Sequence, residues 1–214
     1  NTKKKYLIKN IIRKLEIPSI NLETIKFLKW FSEYNLVPIG MSLKLHLLSN
    51  EAIEIQNNKE IQKYNTFKKP NEIKLSDEQM KAVNEITKND NEFRVHVIQG
   101  TTGSGKTIVY FNSLKKKISE GFQGLILLPE IGLTGEFQKK FKEFFGFEAA
   151  IWHSSITKKN KKIIWNGIAT GKIKVLIGAR SSLFLPFLNL GIIIVDEEHD
   201  QSYKQDEGII YNAR

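Results

Sequence analysis

The stretch Gly100-Thr101-Thr102-Gly103-Ser104-Gly105-Lys106-Thr107 constrains this chain more than any other. It has the form G-x-x-x-x-G-K-[ST]. Its glycines let backbone N–H groups turn inward around phosphate oxygens, and a following helix N-terminus adds partial positive charge. The flanks supply the context that the motif requires. Before it, Phe93-Arg94-Val95-His96-Val97-Ile98 is β-branched and aromatic and predicts a short strand. After it, Ile108, Val109, Phe111, Leu114 and Ile118 recur at helical spacing up to Ser119. Lys106 is then placed to reach the β- and γ-phosphates, and the Thr107 hydroxyl to bind Mg²⁺. The sequence therefore specifies a nucleotide site, with ATP and Mg²⁺ as its expected occupants.

Beyond Ser119 the chain alternates strands with helices. Gly124–Leu128, Ala149–His153, Ile173–Ile177 and the apolar run Leu190–Val195 read as strands, the last one buried on both faces. Phe137, Phe141, Phe144 and Phe145 line one intervening helix; Ile163, Ile164, Trp165 and Ile168, ended by Gly171, line another. This alternation predicts an α/β fold with a parallel sheet flanked by crossover helices. Such sheets bind ligands at the carboxyl ends of their strands, where the polar clusters of this sequence fall.

One of those clusters, Asp196-Glu197-Glu198-His199, closes the last strand about ninety residues after the glycine loop. A carboxylate there can hold Mg²⁺ through water while a second orients and deprotonates the attacking water. Asp196 is assigned to the metal and Glu197 to the water, making Lys106, Asp196 and Glu197 the catalytic set. His199 is positioned to couple hydrolysis to a neighbouring element. Upstream, Ser76 and Gln79 form a capping box at a helix start. Gln79 has a second reading as an adenine-recognising glutamine, and spacing alone leaves the two open.

The front of the chain differs in character. Residues 1–70 hold 13 Lys/Arg against 6 Asp/Glu, and the rest 20 against 17, within a net charge of +10. That asymmetry fits a polyanion partner or a solvated lysine-rich surface equally well. Tyr6–Ile17 is either an amphipathic helix or a pair of strands, ended by Pro18. Asn21 caps a helix whose Leu22, Ile25, Leu28 and Phe31, with Phe27 and Trp30 beside them, are read as a buried stripe. A second helix is expected over Met41–Leu48. The polar, Lys/Asn-rich stretch 50–71 reads as a linker. Cysteine is absent, which excludes disulfides and cysteine-held zinc within these residues. No run of about 18 apolar residues predicts a membrane span. The start, Asn1-Thr2-Lys3, leads into no signal-peptide core, and the chain reads as a fragment of a cytoplasmic protein.

Val195-Asp196-Glu197-Glu198-His199-Asp200 with Ser202-Tyr203-Lys204-Gln205 resembles the DEEH box and following loop of the PriA family, the bacterial primosomal replication-restart helicases of superfamily 2. Gly100–Thr107 resembles that family's motif I, Leu128–Thr134 its motif Ia and Gly178–Phe184 its motif Ib. Trp30–Gly40 is similar to the end of its N-terminal DNA-binding domain. The resemblance implies an ATP-driven 3′-to-5′ DNA helicase acting with primosome proteins and single-stranded DNA-binding protein at forked or single-stranded DNA. It implies a RecA-like domain over 72–214, incomplete at its end, after the tail of a DNA-binding domain (1–49) and the linker. It favours the adenine-recognising role for Gln79. It also implies DNA contacts from Thr134, Arg180 and Ser181, and from Tyr203, Lys204, Tyr211 and Arg214 in an aromatic-rich coupling loop over 200–214.

Several departures accompany the resemblance. Gly135-Glu136 stands where the family has Pro-Gln, bringing a negative charge to the expected DNA track. Ile209 and Asn212 replace an aromatic and a histidine, which predicts weaker coupling. Residues 50–71 are too few for the family's winged-helix domain. The second lobe, with its arginine finger and zinc-binding cysteines, would lie beyond Arg214, so zinc is expected only there. The rival readings are another P-loop DNA translocase and a non-catalytic DNA-binding remnant of a split gene.

Overall fold

A computed structural model describes residues 17–47, 59–64, 74–88, 92–101, 103–129 and 135–214. Residues 6–16 of the expected Tyr6–Ile17 element, Leu48, most of the linker, Thr102 and the motif Ia residues 130–134, with Thr134, lie outside them. Its centre is a parallel sheet in the order β2-β3-β1-β4, built from β1 (Gln123–Leu127), β2 (Ala150–Trp152), β3 (Val175–Gly178) and β4 (Leu190–Val195). Leu125 faces Leu176 on one side and Ile193 on the other.

Alternation along β1 builds two cores, because successive side chains of a strand point to opposite faces. Leu125 and Leu127 pack with Trp152, Leu176 and helix α6 (Lys158–Ala169), where Ile163, Ile164, Trp165 and Ile168 are buried. Ile126 and Leu128 pack the other way, against α4 (Lys106–Ser119) and α5 (Gly135–Phe145). Phe111 of α4 is the hub of that face. Its ring lies 5.2–5.8 Å from those of Phe137, Phe141, Phe144 and Phe145. Gly124 lets α4 sit directly on the sheet, since a Cβ there would meet Leu114 Cδ1 at 2.1 Å.

Two strand expectations are corrected. Residues 93–98 form no strand among the described residues, and Phe93, Val95 and Val97 are 91%, 77% and 87% exposed. An alternating sequence supplies the strand pattern, but a ladder also needs a partner edge, and these residues make no pairing here. Strand β4 correspondingly pairs only with β1 in the described sheet. It is an edge strand with Ile193 47% exposed, not one buried on both faces.

The front helices pack beside the sheet, on the turn after β3, on the final residues and on α6. Helix α1 (Leu22–Tyr34) starts at Asn21, whose side chain accepts from Thr24 N at 2.7 Å. Helix α2 (Ile39–His46) begins two residues earlier than expected. The expected stripe is only half realised: Leu28 and Phe31 are buried, whereas Leu22 and Trp30 are 63% and 55% exposed. Phe31 meets the Phe184 and Tyr211 rings at 4.9 and 5.4 Å, so α1 rests on the turn after β3 and on the chain's last residues. The expected linker is corrected in part. Lys59–Tyr64 is a 3-10 helix whose Ile61 and Tyr64 are buried against α6.

His46 anchors α2. It is 1% exposed, its Nδ1 lies 2.7 Å from Phe184 O, and its backbone carbonyl accepts from Trp165 Nε1 at 3.0 Å. Phe184 O can only accept, so Nδ1 carries the proton, and Nε2 has no hydrogen-bond partner. Burial lowers the pKa of His46 below its ordinary value. Sign follows from linkage: at a pH above about 6.5, the ordinary histidine value, the ring is neutral in both states. Below it the unfolded chain binds a proton that the folded one resists, so stability falls with pH down to the lowered folded value. One proton sets a limit of about 1.4 kcal/mol per pH unit. Urea unfolding between pH 7.5 and 5.5 should show a progressive loss that His46→Gln reduces; equal slopes in the two proteins would contradict this role.

Candidate nucleotide and nucleic-acid site

The glycine loop takes the form its spacing predicts. Gly103 and Gly105 have φ of +83° and +84°, a region costly to residues with a Cβ. At Gly100 the constraint is space, because a Cβ would meet Ser104 Oγ at 2.5 Å. Gly105 caps α4, so the helix opens at Lys106 with its positive N-terminal end at the loop. The Lys106 ammonium folds into the cradle, donating to Gly100 O at 2.7 Å and Thr101 O at 3.2 Å.

Gln79 belongs to the same cluster. Its Oε1 accepts from Ser76 N at 3.0 Å, completing the capping box of α3 (Asp77–Ile86). Its Nε2 donates to Ser104 O at 3.4 Å and would be 2.6 Å from a Cβ at Gly105. Capping and contact with the loop are thus done by one side chain.

Asp196 reaches α4, the helix that follows the loop, from the end of β4. Its N–H continues the ladder onto Leu127 O at 3.1 Å. Its Oδ1 accepts from Glu197 N at 3.1 Å, and its Oδ2 accepts from the Tyr110 hydroxyl at 2.8 Å. Tyr110 lies on α4 one turn beyond Lys106, with the Thr107 hydroxyl beside it. Burial, and then the charge of Asp196, push the Tyr110 phenol far above its ordinary range, so it remains a donor. Sequence reading did not single out Tyr110; its i+4 spacing from Lys106 was the available signal. Glu197 is exposed and has a φ of 49°, a left-handed conformation that is uncommon and strained for a residue with a Cβ. Its Oε2 lies 3.6 Å from His199 Nε2, also at the surface.

These groups fit a magnesium-bound nucleoside triphosphate. A Cβ at Gly100 would meet Ser104 Oγ and one at Gly105 would meet Gln79 Nε2, so the loop stays open beside Lys106 and Thr107, with the Asp196 carboxylate one helical turn away on Tyr110. Among the described residues no group of three or more His, Asp or Glu could hold a metal unaided. A Mg²⁺ ion here would draw its remaining ligands from phosphate oxygens and water, as this ion commonly does.

The expected nucleic-acid contacts are mostly engaged within the protein. Tyr203 is 1% exposed, and its hydroxyl donates to Leu127 O at 3.0 Å and to Asp196 O. Arg180 donates to the Ser202 and Lys204 carbonyls, tying the turn after β3 to the final loop. Tyr211 is half-buried between Phe31 and Phe184, and burial pushes its phenol up to about 12 against the opposing charge of Arg180. Arg214 donates to Glu198 O at 2.7 Å. Ser181 and Lys204 are exposed, the latter paired with Asp206 at 3.1 Å. Of the departures, Ile209 is buried with Leu28, Phe31 and Phe184, and Glu136 pairs with Lys140 at 2.9 Å.

Removing the Tyr203 hydroxyl strips a donor from two backbone acceptors beneath the acidic cluster. Tyr203→Phe should cost about 1–3 kcal/mol in urea unfolding and hasten tryptic cleavage at Lys204. An unchanged midpoint with unchanged cleavage would contradict the anchoring role.

Comparison with known proteins accords with this geometry. Residues 76–213 match the DEAD/DEAH box helicase family. The replication restart protein PriA of Rickettsia felis is 47% identical over 196 residues, 92% of this chain and 29% of that protein. PriA of Rickettsia prowazekii is 48% identical over 199 residues, with the same shares covered. PriA of Bacillus subtilis is 41% identical over 150 residues, 69% of this chain and 19% of the relative. The chain thus spans under a third of the length of these relatives. A solved structure of RecG bound to a three-way DNA junction superimposes with a TM-score of 0.55 at 22% identity, covering 88% of this chain and 26% of that one. The matched span runs from the capping box through the glycine loop to the acidic cluster and the loop beyond it, and the chain belongs to the DEAD/DEAH box helicase family.

Proposed function

We propose that this chain is the ATP-binding lobe of a PriA-type replication-restart helicase. The observation that carries the proposal is the 2.8 Å hydrogen bond from Tyr110 to Asp196, which joins the helix of the phosphate loop to the acidic cluster. Two sequence-distant halves of a nucleotide site thereby face one space. Loop amides and Lys106 bind the phosphates, Gln79 recognises adenine, and Thr107 with Asp196 holds the ion. A bound Mg²⁺ would supply charge neutralisation at the phosphates. Glu197 orients the attacking water and accepts its proton.

The substrate proposed for the whole protein is forked or single-stranded DNA, opened in the 3′-to-5′ direction in the cytoplasm. Primosome proteins and single-stranded DNA-binding protein are the proposed partners. Similarity to PriA supports this reading. On this chain, Ser181 and Lys204 offer exposed polar groups beside the strand ends, suited to backbone contact. Arg180, Tyr203, Tyr211 and Arg214 would act on DNA by way of the final loop that they hold together. His199, beside Glu197, is the proposed coupling residue.

An arginine finger contributes about 10³- to 10⁵-fold in rate to related nucleotide hydrolases, and that group is proposed for a second lobe. The present chain should bind a fluorescent ATP analogue with Mg²⁺, lose at least about tenfold in affinity on Lys106→Ala, hydrolyse ATP slowly and fail to open a fork. Equal affinity for the Lys106→Ala variant would contradict the site. Rapid DNA-stimulated hydrolysis in a single-turnover assay would contradict the dependence on a second lobe.

A further inference from the structure

We infer that Tyr110 is a positioning residue that holds the Asp196 carboxylate in one orientation for the magnesium-nucleotide site, an inference that rests on the proposed nucleotide-binding function. An aspartate at a strand end has two side-chain torsions and must lose that freedom before it can act as a fixed ligand. Here both oxygens are already held. Oδ2 accepts from the Tyr110 hydroxyl at 2.8 Å, and Oδ1 accepts from Glu197 N at 3.1 Å. A carboxylate offers about four acceptor positions, so two donors fix its plane and leave others for an ion or its water.

The position of the hydroxyl is itself set by packing. The Tyr110 ring is 5% exposed and lies edge-on to Phe111 at 5.2 Å, within the cluster that seats α4 on α5. Lys106, Thr107 and Tyr110 therefore move as one rigid element. Through Tyr110, the Asp196 side chain is tied to the helix that follows the phosphate loop, while its backbone is held by Leu127 O and the Tyr203 hydroxyl. A buried tyrosine that merely needed an acceptor would show the same distance, so the test must read more than stability.

The measurement is the affinity of a fluorescent ATP analogue for the chain, with Mg²⁺ and with EDTA, in the wild type, Tyr110→Phe, Asp196→Ala and the double variant. Phenylalanine keeps the ring packing, and urea unfolding reports whether the fold is intact. A hydrogen bond to a charged group corresponds to an effect of at least about tenfold. Tyr110→Phe should therefore reduce the gain in affinity given by Mg²⁺ at least about tenfold, leave the affinity in EDTA unchanged, and have no further effect once Asp196 is alanine. An unchanged Mg²⁺ gain, or equal losses with and without the ion, would overturn the inference. Absence of any Mg²⁺-dependent binding by the wild type would instead overturn the nucleotide-site reading on which it rests.

Discussion

The pairing of β1 with β4 is the constraint from which the rest of this structure hangs. It carries Asp196 N, one step past the end of β4, onto the carbonyl of Leu127, the last residue of β1, and so fixes where the acidic cluster begins. The same strand β1 receives α4 through the gap left by Gly124. One strand therefore sets both halves of the site: the helix that opens at Lys106 and the carboxylate that faces it.

Around that strand, tyrosines make contacts that charge alone could not. Tyr110 reaches the Asp196 side chain from α4, and Tyr203 reaches the Asp196 and Leu127 carbonyls from the final loop. Both rings are buried and both phenols are pushed well above their ordinary range by that burial, so each stays a neutral donor. A lysine in either place would have to lose its hydration to reach the same acceptors. The final loop is in turn bound to Arg180 and to Phe31 of α1. A continuous set of contacts thus runs from the front helices to the acidic cluster.

The parts of this arrangement that could be read in advance are those whose physics is local. Gly103 and Gly105 are needed for positive φ, Ser76 and Gln79 for a cap three residues apart, and β1 to β3 for apolar runs between turn residues. The parts that could not be read depend on what the rest of the chain presents. Phe93–Ile98 alternates as a strand does, yet pairing needs an edge that its own sequence does not supply. The face carrying Leu22 and Trp30 also carries Lys26, Lys29 and Glu33 and stays exposed, whereas the face carrying Leu28 and Phe31 docks on Phe184. Ile61 and Tyr64 were hidden in a polar stretch, although two apolar residues suffice to seat one 3-10 helix. Tyr203 can stack on a base or donate to a carbonyl, and the depth of the loop decides which.

The sharpest test of a shared magnesium-nucleotide site is a crystal structure of this chain with Mg²⁺ and a non-hydrolysable ATP analogue. The triphosphate should lie along Gly100–Lys106, with the metal between Thr107 and Asp196 and the Tyr110 hydroxyl still on the Asp196 carboxylate. A nucleotide bound elsewhere, or a metal shared by neither Thr107 nor Asp196, would contradict that site.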